Sequence, residues 1–246
     1  MATNYDFEQK LSVSPSIDER AIDHFAERPI GNIKPEPDLE HQALSGALAA
    51  ARQEAHALVD LANATYADAS QPPAAAAIQV ATAARKSSER VIARIEAAQA
   101  KVDLTITSLE RLTFAPLPDA VVGERYDQEI RSSLKALTHD ERAKEINDAL
   151  ASADMQLIGA VLRAPRVTTG MKAFELEALR HRFRSQHFPA EMKRLERLRK
   201  MRAASDTGAG AFNKLVKQAA DTKYAARAIA ARDKRESMLA AHQQEA

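Results

Sequence analysis

Between Ala74 and Phe114 the chain contains neither glycine nor proline, and alanine recurs along much of it. A tract of that length without a breaker predicts one long helix, because a sheet of similar span needs turn residues every few positions. The scarcity is general. Seven glycines in 246 residues is low against a usual share of ~7%. Glycine supplies the positive-φ positions that β-turns, phosphate loops and strained catalytic turns require. So few of them argue against a many-stranded sheet and against an enzyme with several tight active-site loops. Apolar residues make up 45% of the chain, but only 4% are aromatic and tryptophan is absent. Alanine buries little area per residue, so Ala-lined helices must hold together through long lines of contact. A charged fraction of 28% and the bias toward Ala, Glu, Lys, Leu and Arg agree with long helices.

The pattern predicts an all-α, elongated chain in four parts. Residues 1–37 form an extended amino-terminal arm, 38–115 a long antiparallel helical hairpin, 116–204 a bundle of shorter helices with a basic end, and 205–246 a hinge and a carboxy-terminal helix. The first hairpin helix spans 38–70. Glu36-Pro37-Asp38 suits its first turn, and Leu44, Leu48, Ala51, Ala55, Leu58 and Ala62 share one face. Gln71-Pro72-Pro73 ends it, and so short a joint turns the second helix, 74–114, back on the first. Val91, Ile95, Ala98, Val102, Leu109 and Leu112 form its seam, with Thr105 as the weak member. Phe114-Ala115-Pro116-Leu117-Pro118 is the clearest break. A helix over about 120–137 follows. Thr138-x-x-Glu141 is a capping box opening the next, and Ser152-Ala153-Asp154 caps a third that stops before Pro165. Thr168 or Thr169 caps a fourth, with Phe174, Leu176, Leu179 and Phe183 turned inward. Pro189 begins a fifth, carrying Met192, Leu195, Leu198 and Met201. Residues 205–210, from Ser205 to Gly210, predict a flexible joint before a last helix over 211–241, with Phe212, Leu215, Ala219, Ala226 and Ile229 on one face.

Four of the ten prolines (Pro15, Pro29, Pro35 and Pro37) sit in the first 37 residues. Ser16-x-x-Glu19 suggests a short helix there, and the prolines after Arg28 force extended backbone. Phe7, Leu11, Ile17, Ile22 and Phe25 are too apolar for an inert linker and predict an arm that docks on a neighbouring chain.

A net charge of +1 conceals strong polarity. From residue 166 onward there are eighteen Lys and Arg against nine Asp and Glu; the first 165 residues hold seventeen against twenty-five. The densest basic stretch supplies Arg180, Arg182, Arg184, Lys193, Arg194, Arg197 and Lys200 as candidate anion- or partner-binding residues. Arg180 and Arg184 lie one turn apart, as do Lys193 and Arg197. Two readings follow: a solvated or intersubunit face meeting the acidic part of another copy, or contact with nucleic-acid phosphate. The second would be sequence-blind and salt-dependent, since no compact helix-turn-helix and no aromatic–basic interleaving accompany it. Gly208-Ala209-Gly210 precedes a helix but lacks the Lys-Ser/Thr of a phosphate loop, so a hinge is the default.

Little in the sequence anchors catalysis. Cysteine is absent, which removes disulfides and thiolate sites and suits synthesis in the cytoplasm. The amino terminus lacks the basic and apolar regions of a secretory signal. The uncharged, Ala-rich run from Ser70 to Thr82 is too short and too weakly apolar to span a bilayer. Seven scattered histidines form no H-E-x-x-H and no i, i+4 pair. The carboxylates Asp127, Glu129, Asp140 and Glu141 read as capping or exposed groups, and no serine sits in a nucleophile elbow. The expectation is therefore no catalytic, cofactor-binding or metal-ligating residue and no cofactor. Its function would be non-enzymatic, acting through protein partners in a homo-oligomer or larger assembly. The alternatives are the phosphate-contacting protein above and a helical enzyme whose site forms between subunits.

The stretch from Asp140 to Met171 contains Asp140-Glu141-Arg142, Asp148-Ala149-Leu150, Asp154, Ala160-Val161-Leu162-Arg163-Ala164-Pro165 and Thr169-Gly170-Met171. It resembles a segment of uncharacterised helical structural or assembly proteins of tailed phages and prophages. The likeness covers about thirty residues and carries no catalytic motif. It implies a virion or virion-assembly role and a place in the virion after synthesis.

Overall fold

A computed structural model of the chain describes residues 11–27, 38–116, 123–220 and 223–244. Among them it is all-α, without a strand. The helices are α1 (Arg20–Asp23), α2 (Leu39–Ala67), α3 (Pro73–Leu112), α4 (Gly123–Ala136), α5 (His139–Ala151), α6 (Met155–Arg163), α7 (Arg166–Thr169), α8 (Ala173–His187), α9 (Pro189–Ala220) and α10 (Lys223–Gln244). The chain divides into two compact units: residues 1–103 with 199–246, and residues 104–198. Both divisions fall inside a helix, α3 and α9, rather than at the sequence breaks at 115 and 204. Helical hydrogen bonding is local and continues wherever no residue interrupts it, whichever unit covers the side chains.

The first unit is built on the predicted hairpin. Asp38 caps α2 by accepting from His41 N at 3.0 Å. Glu54 on α2 accepts from Ser87 Oγ at 2.8 Å and from Arg90 on α3, which fixes the antiparallel return. Leu44, Leu48, Ala51, Ala55, Leu58 and Ala62 are all buried, as are Val91, Ile95, Ala98 and Val102. Residues 199–220 of α9 lie against both helices. Gln99 Nε2 donates to Ser205 Oγ at 2.9 Å, and Arg202 pairs with Asp103 at 3.1 Å.

Two expectations fail in this unit. The stretch Ser205 to Gly210 is not a hinge but the middle of α9. Its small residues serve close approach: a Cβ on Gly208 would stand 2.7 Å from Leu48 Cδ2 and 3.2 Å from Ser16 O. Of the face predicted for the 211–241 helix, Phe212, Leu215 and Ala219 are buried on α9, whereas Ala226 on α10 is exposed and Ile229 half-buried; residues 221–222 lie outside the described residues. The arm is the second case. Ile17 and Ile22 are fully buried within this same chain, with Leu11 and Phe25 half-buried. Arg52 on α2 clamps the segment through Glu19 at 2.5 Å and Asp18 at 3.7 Å, and Ser45 Oγ donates to Asp23 at 2.8 Å. Each isoleucine buries far more apolar area than an alanine of the seam, which favours folding the segment back here. Phe7 and the proline run 28–37 lie outside the described residues.

In the second unit, Leu134, Ile146, Leu150, Ile158, Val161, Leu162, Leu176, Leu179 and Phe183 form one core. Its helices are short and held at their ends. Thr138 and Glu141 make the predicted capping box on α5, and Asp154 accepts from Gln156 N and Leu157 N to cap α6. Gly170 at φ 67° turns the chain between α7 and α8. The fourth helix therefore starts at Ala173, not after Thr169. Asp127 is buried rather than exposed: Arg163 on α6 grips both its oxygens, at 2.8 and 2.7 Å, and also donates to Pro116 O. Phe174 departs from its predicted inward position and is 68% exposed, and Leu112 is 59% exposed. Each continues a periodic pattern one step past the residues that cover it.

Candidate docking groove

The arginines of the basic stretch are largely engaged within the fold. Arg184 Nε donates to Thr113 O at 3.1 Å and Nη2 to Glu110 O at 3.3 Å. These carbonyls lie at the carboxy-terminal end of α3, where helical partners run out and the dipole favours a cation. Arg180 pairs with Glu177, and its guanidinium lies over the Phe114 ring, 4.5 Å from the centroid. Arg194, Arg197 and Lys200 also have partners, while Lys193 is exposed. Composition alone could not foresee this: a cation that caps a helix and one that faces solvent look alike in sequence.

Arg182 differs in its surroundings. With α5 it borders a groove of about 400 Å³ between α5 and α8. The hydrophobic periodicity of both helices buries Ile146 and Leu179 at its floor, and Met171 and Phe174 extend this apolar surface. The rim is mostly cationic. Arg182 Nη1 donates to Asn147 Oδ1 at 2.6 Å. Arg142 donates to the carbonyls of Leu134, Leu137 and Gly170 at 2.7 to 2.8 Å, joining α4, α5 and the α7–α8 turn. All these acceptors are neutral, so the hydrogen bonds hold the two guanidinium groups without cancelling their charge. Lys172 Nζ stands 5.9 Å from the Phe174 centroid.

One acid, Glu175, lines the groove. It accepts from Lys172 N at 2.8 Å and meets His139 Nε2 at 2.9 Å; His139 Nδ1 faces Asp140 at 3.2 Å. The hydrogen bond to Glu175, then that to Asp140, raises the His139 pKa above its ordinary value, and the bond with His139 lowers that of Glu175. A carboxylate at each nitrogen favours the protonated form of this imidazole. No cysteine, serine or threonine is among the groove-lining residues, and the arrangement offers apolar contact beside positive charge. Among the described residues no three His, Asp or Glu side chains converge as a metal set. No helix of the described residues is long and apolar enough to cross a membrane.

Arg182 stands out in the sequence as a cation, whereas nothing around it in the sequence places it beside a groove. The available signal was Met171-Lys172-Ala173-Phe174-Glu175, where two apolar and two charged side chains crowd a helix start. No family model matches the chain, and neither a characterised protein nor a solved structure is significantly similar to it.

Proposed function

We propose that this chain is a non-enzymatic assembly protein, built with other copies or other proteins into a larger complex. The resemblance of Asp140–Met171 supplies the setting, a tailed-phage virion or its assembly. The observation that carries the reading is α10. Its residues 233–241 are exposed on every side, including Met238 at 66% and Leu239 at 54%. Helices in proteins draw most of their stability from packing one face, and an isolated segment of this length is marginal in water. A helical segment whose residues are all exposed, with adjacent large apolar side chains, fits a surface that another chain covers. The engagement of Arg180, Arg184, Arg194 and Arg197 within the fold favours this over phosphate binding by the basic stretch.

Sedimentation velocity of the full chain and of a chain ending at Ala220 tests the proposal. The full chain should associate with rising concentration and the shortened chain should not, while both keep the helicity of the two units. A full chain that stays monomeric throughout, with slow amide exchange along α10, would refute it.

A further inference from the structure

The groove between α5 and α8 combines two features that select a ligand. Its floor is apolar, and Phe174 stands beside it 68% exposed. Its rim holds Arg142 and Arg182, whose hydrogen bonds end on neutral oxygens, and Lys172 near the ring. Against these stands Glu175, already shared with His139 and Lys172 N. Even counting His139 as neutral, Arg142, Lys172 and Arg182 against Glu175 leave the groove with a surplus of positive charge. A matching occupant carries an aromatic side chain for the floor and carboxylates on either side for the rim.

The chain contains such a segment outside the described residues. Tyr5-Asp6-Phe7-Glu8 sets one aromatic residue between two acids and adds a second aromatic ahead of them. The other undescribed segments, 28–37, 117–122, 221–222 and 245–246, contain no aromatic residue. About 400 Å³ falls in the size range of small-ligand sites and suits one aromatic side chain with its neighbours, not a whole helix. Residues 11–27 are fixed on their own unit through Ile17, Ile22 and the Arg52 clamp, which leaves the preceding ten residues as the part that another copy can receive.

We infer that the α5–α8 groove is a receptor for the amino-terminal segment of a second copy, with Phe7 on the apolar floor and Asp6 and Glu8 against Arg182 and Arg142. This rests on the assembly reading and specifies one of its contacts. The probe is a fluorescent peptide of residues 1–10, titrated by anisotropy into full-length chain lacking residues 2–10, so that the groove is vacant. Binding should weaken at least tenfold with Arg182→Glu, a loss of ~1.4 kcal/mol, and with a Phe7→Ala peptide. It should also weaken with rising salt. Arg182 is exposed and Phe174 is not in the core, so Arg182→Glu and Phe174→Ser should both fold, as circular dichroism checks. In sedimentation, deletion of residues 2–10 should reduce self-association of the otherwise intact chain. Absence of peptide binding, or binding indifferent to both Arg182→Glu and Phe174→Ser, overturns the inference. So does self-association unchanged by the deletion; if removal of α10 still abolishes association, the assembly reading survives while this contact does not.

Discussion

The two units solve the same problem by opposite means. In residues 1–103 with 199–246 the buried seam is dominated by alanine, including Ala47, Ala51, Ala55, Ala81 and Ala84. Small side chains let backbones approach, as at Gly208 against Leu48, and each residue contributes little, so stability accumulates over many turns. In residues 104–198 the helices are too short for that. Larger side chains such as Ile158, Leu162 and Phe183 fill the core, and the helix ends are tied by Thr138, Asp154, Arg142 and the Arg163–Asp127 pair. The contrast teaches that length of contact and fixation of ends are interchangeable routes to a packed helix. It also implies different weaknesses: the first unit should resist loss of a side chain and suffer from added volume, the second the reverse.

Removing the Phe183 ring is the strongest way to break that comparison. Phe183 is fully buried and touches His187 and Phe188, with ring centroids 5.0 and 5.7 Å away. Phe183→Ala should cost the second unit about 3–5 kcal/mol. Amide exchange should accelerate across α4 to α8 well before α2. Equal acceleration in both units would mean one cooperative transition and would erase the distinction.

The Arg163–Asp127 pair comes next. Asp127 is buried, and its loss leaves Arg163, whose side chain is 19% exposed, without its carboxylate. Asp127→Ala should destabilise by roughly 2–3 kcal/mol, below the figure for a fully buried pair because Arg163 keeps some water. Asp127→Leu combined with Arg163→Met should recover part of that loss in urea denaturation. A double variant whose loss equals the sum of the singles would show that Arg163 acts mainly through Pro116 O, independently of Asp127.

For the first unit the informative change adds volume. Ala51 is fully buried on α2, and Ala57 on the same helix is exposed. Ala51→Leu should cost ~1–3 kcal/mol, whereas Ala57→Leu should fall within about 0.5 kcal/mol of zero. Thermal midpoints of the two variants check this directly. Tolerance of leucine at 51 would show that the seam is loose and that contact length does not explain this unit.

What the sequence disclosed was whatever local rules govern. The hairpin, the breaks at the prolines, the capping box at Thr138 and the cap at Asp154 all follow from periodicity and short-range hydrogen bonding, and they stand where the residues put them. What it hid depends on the partner across a contact. Ser205 and Gly208 look like a joint because small polar residues and glycine break isolated helices, yet inside this bundle they relieve a close approach. Arg180 and Arg184 look like a free basic face because nothing local reveals the end of α3 beneath them. Phe174 satisfies the spacing of a core position, and only the placement of α5 leaves it at a groove. Ile17 and Ile22 advertise docking, but the sequence cannot say that the surface they meet is their own.

The smallest expected effect concerns how the second unit responds to acid. His139 at the start of α5 and Glu175 on α8 pair at 2.9 Å. The pairing raises the imidazole above its ordinary 6.5 and lowers the carboxyl below its ordinary 4.5. A raised imidazole stabilises the fold while protonated, so its contribution is full below 6.5 and fades as pH climbs through the raised value. A lowered carboxyl contributes fully above 4.5 and loses that as pH drops through the lowered value. The two conditions overlap between 4.5 and 6.5. Within that interval wild type should exceed His139→Gln in urea midpoint by its greatest margin, narrowing on both sides. Because both groups are in contact with water, the margin should be slight and should shrink in ~1 M salt. A margin that persists at high pH and high salt would mean that His139 works by shape at the head of α5, and that end fixation in this unit does not depend on charge there.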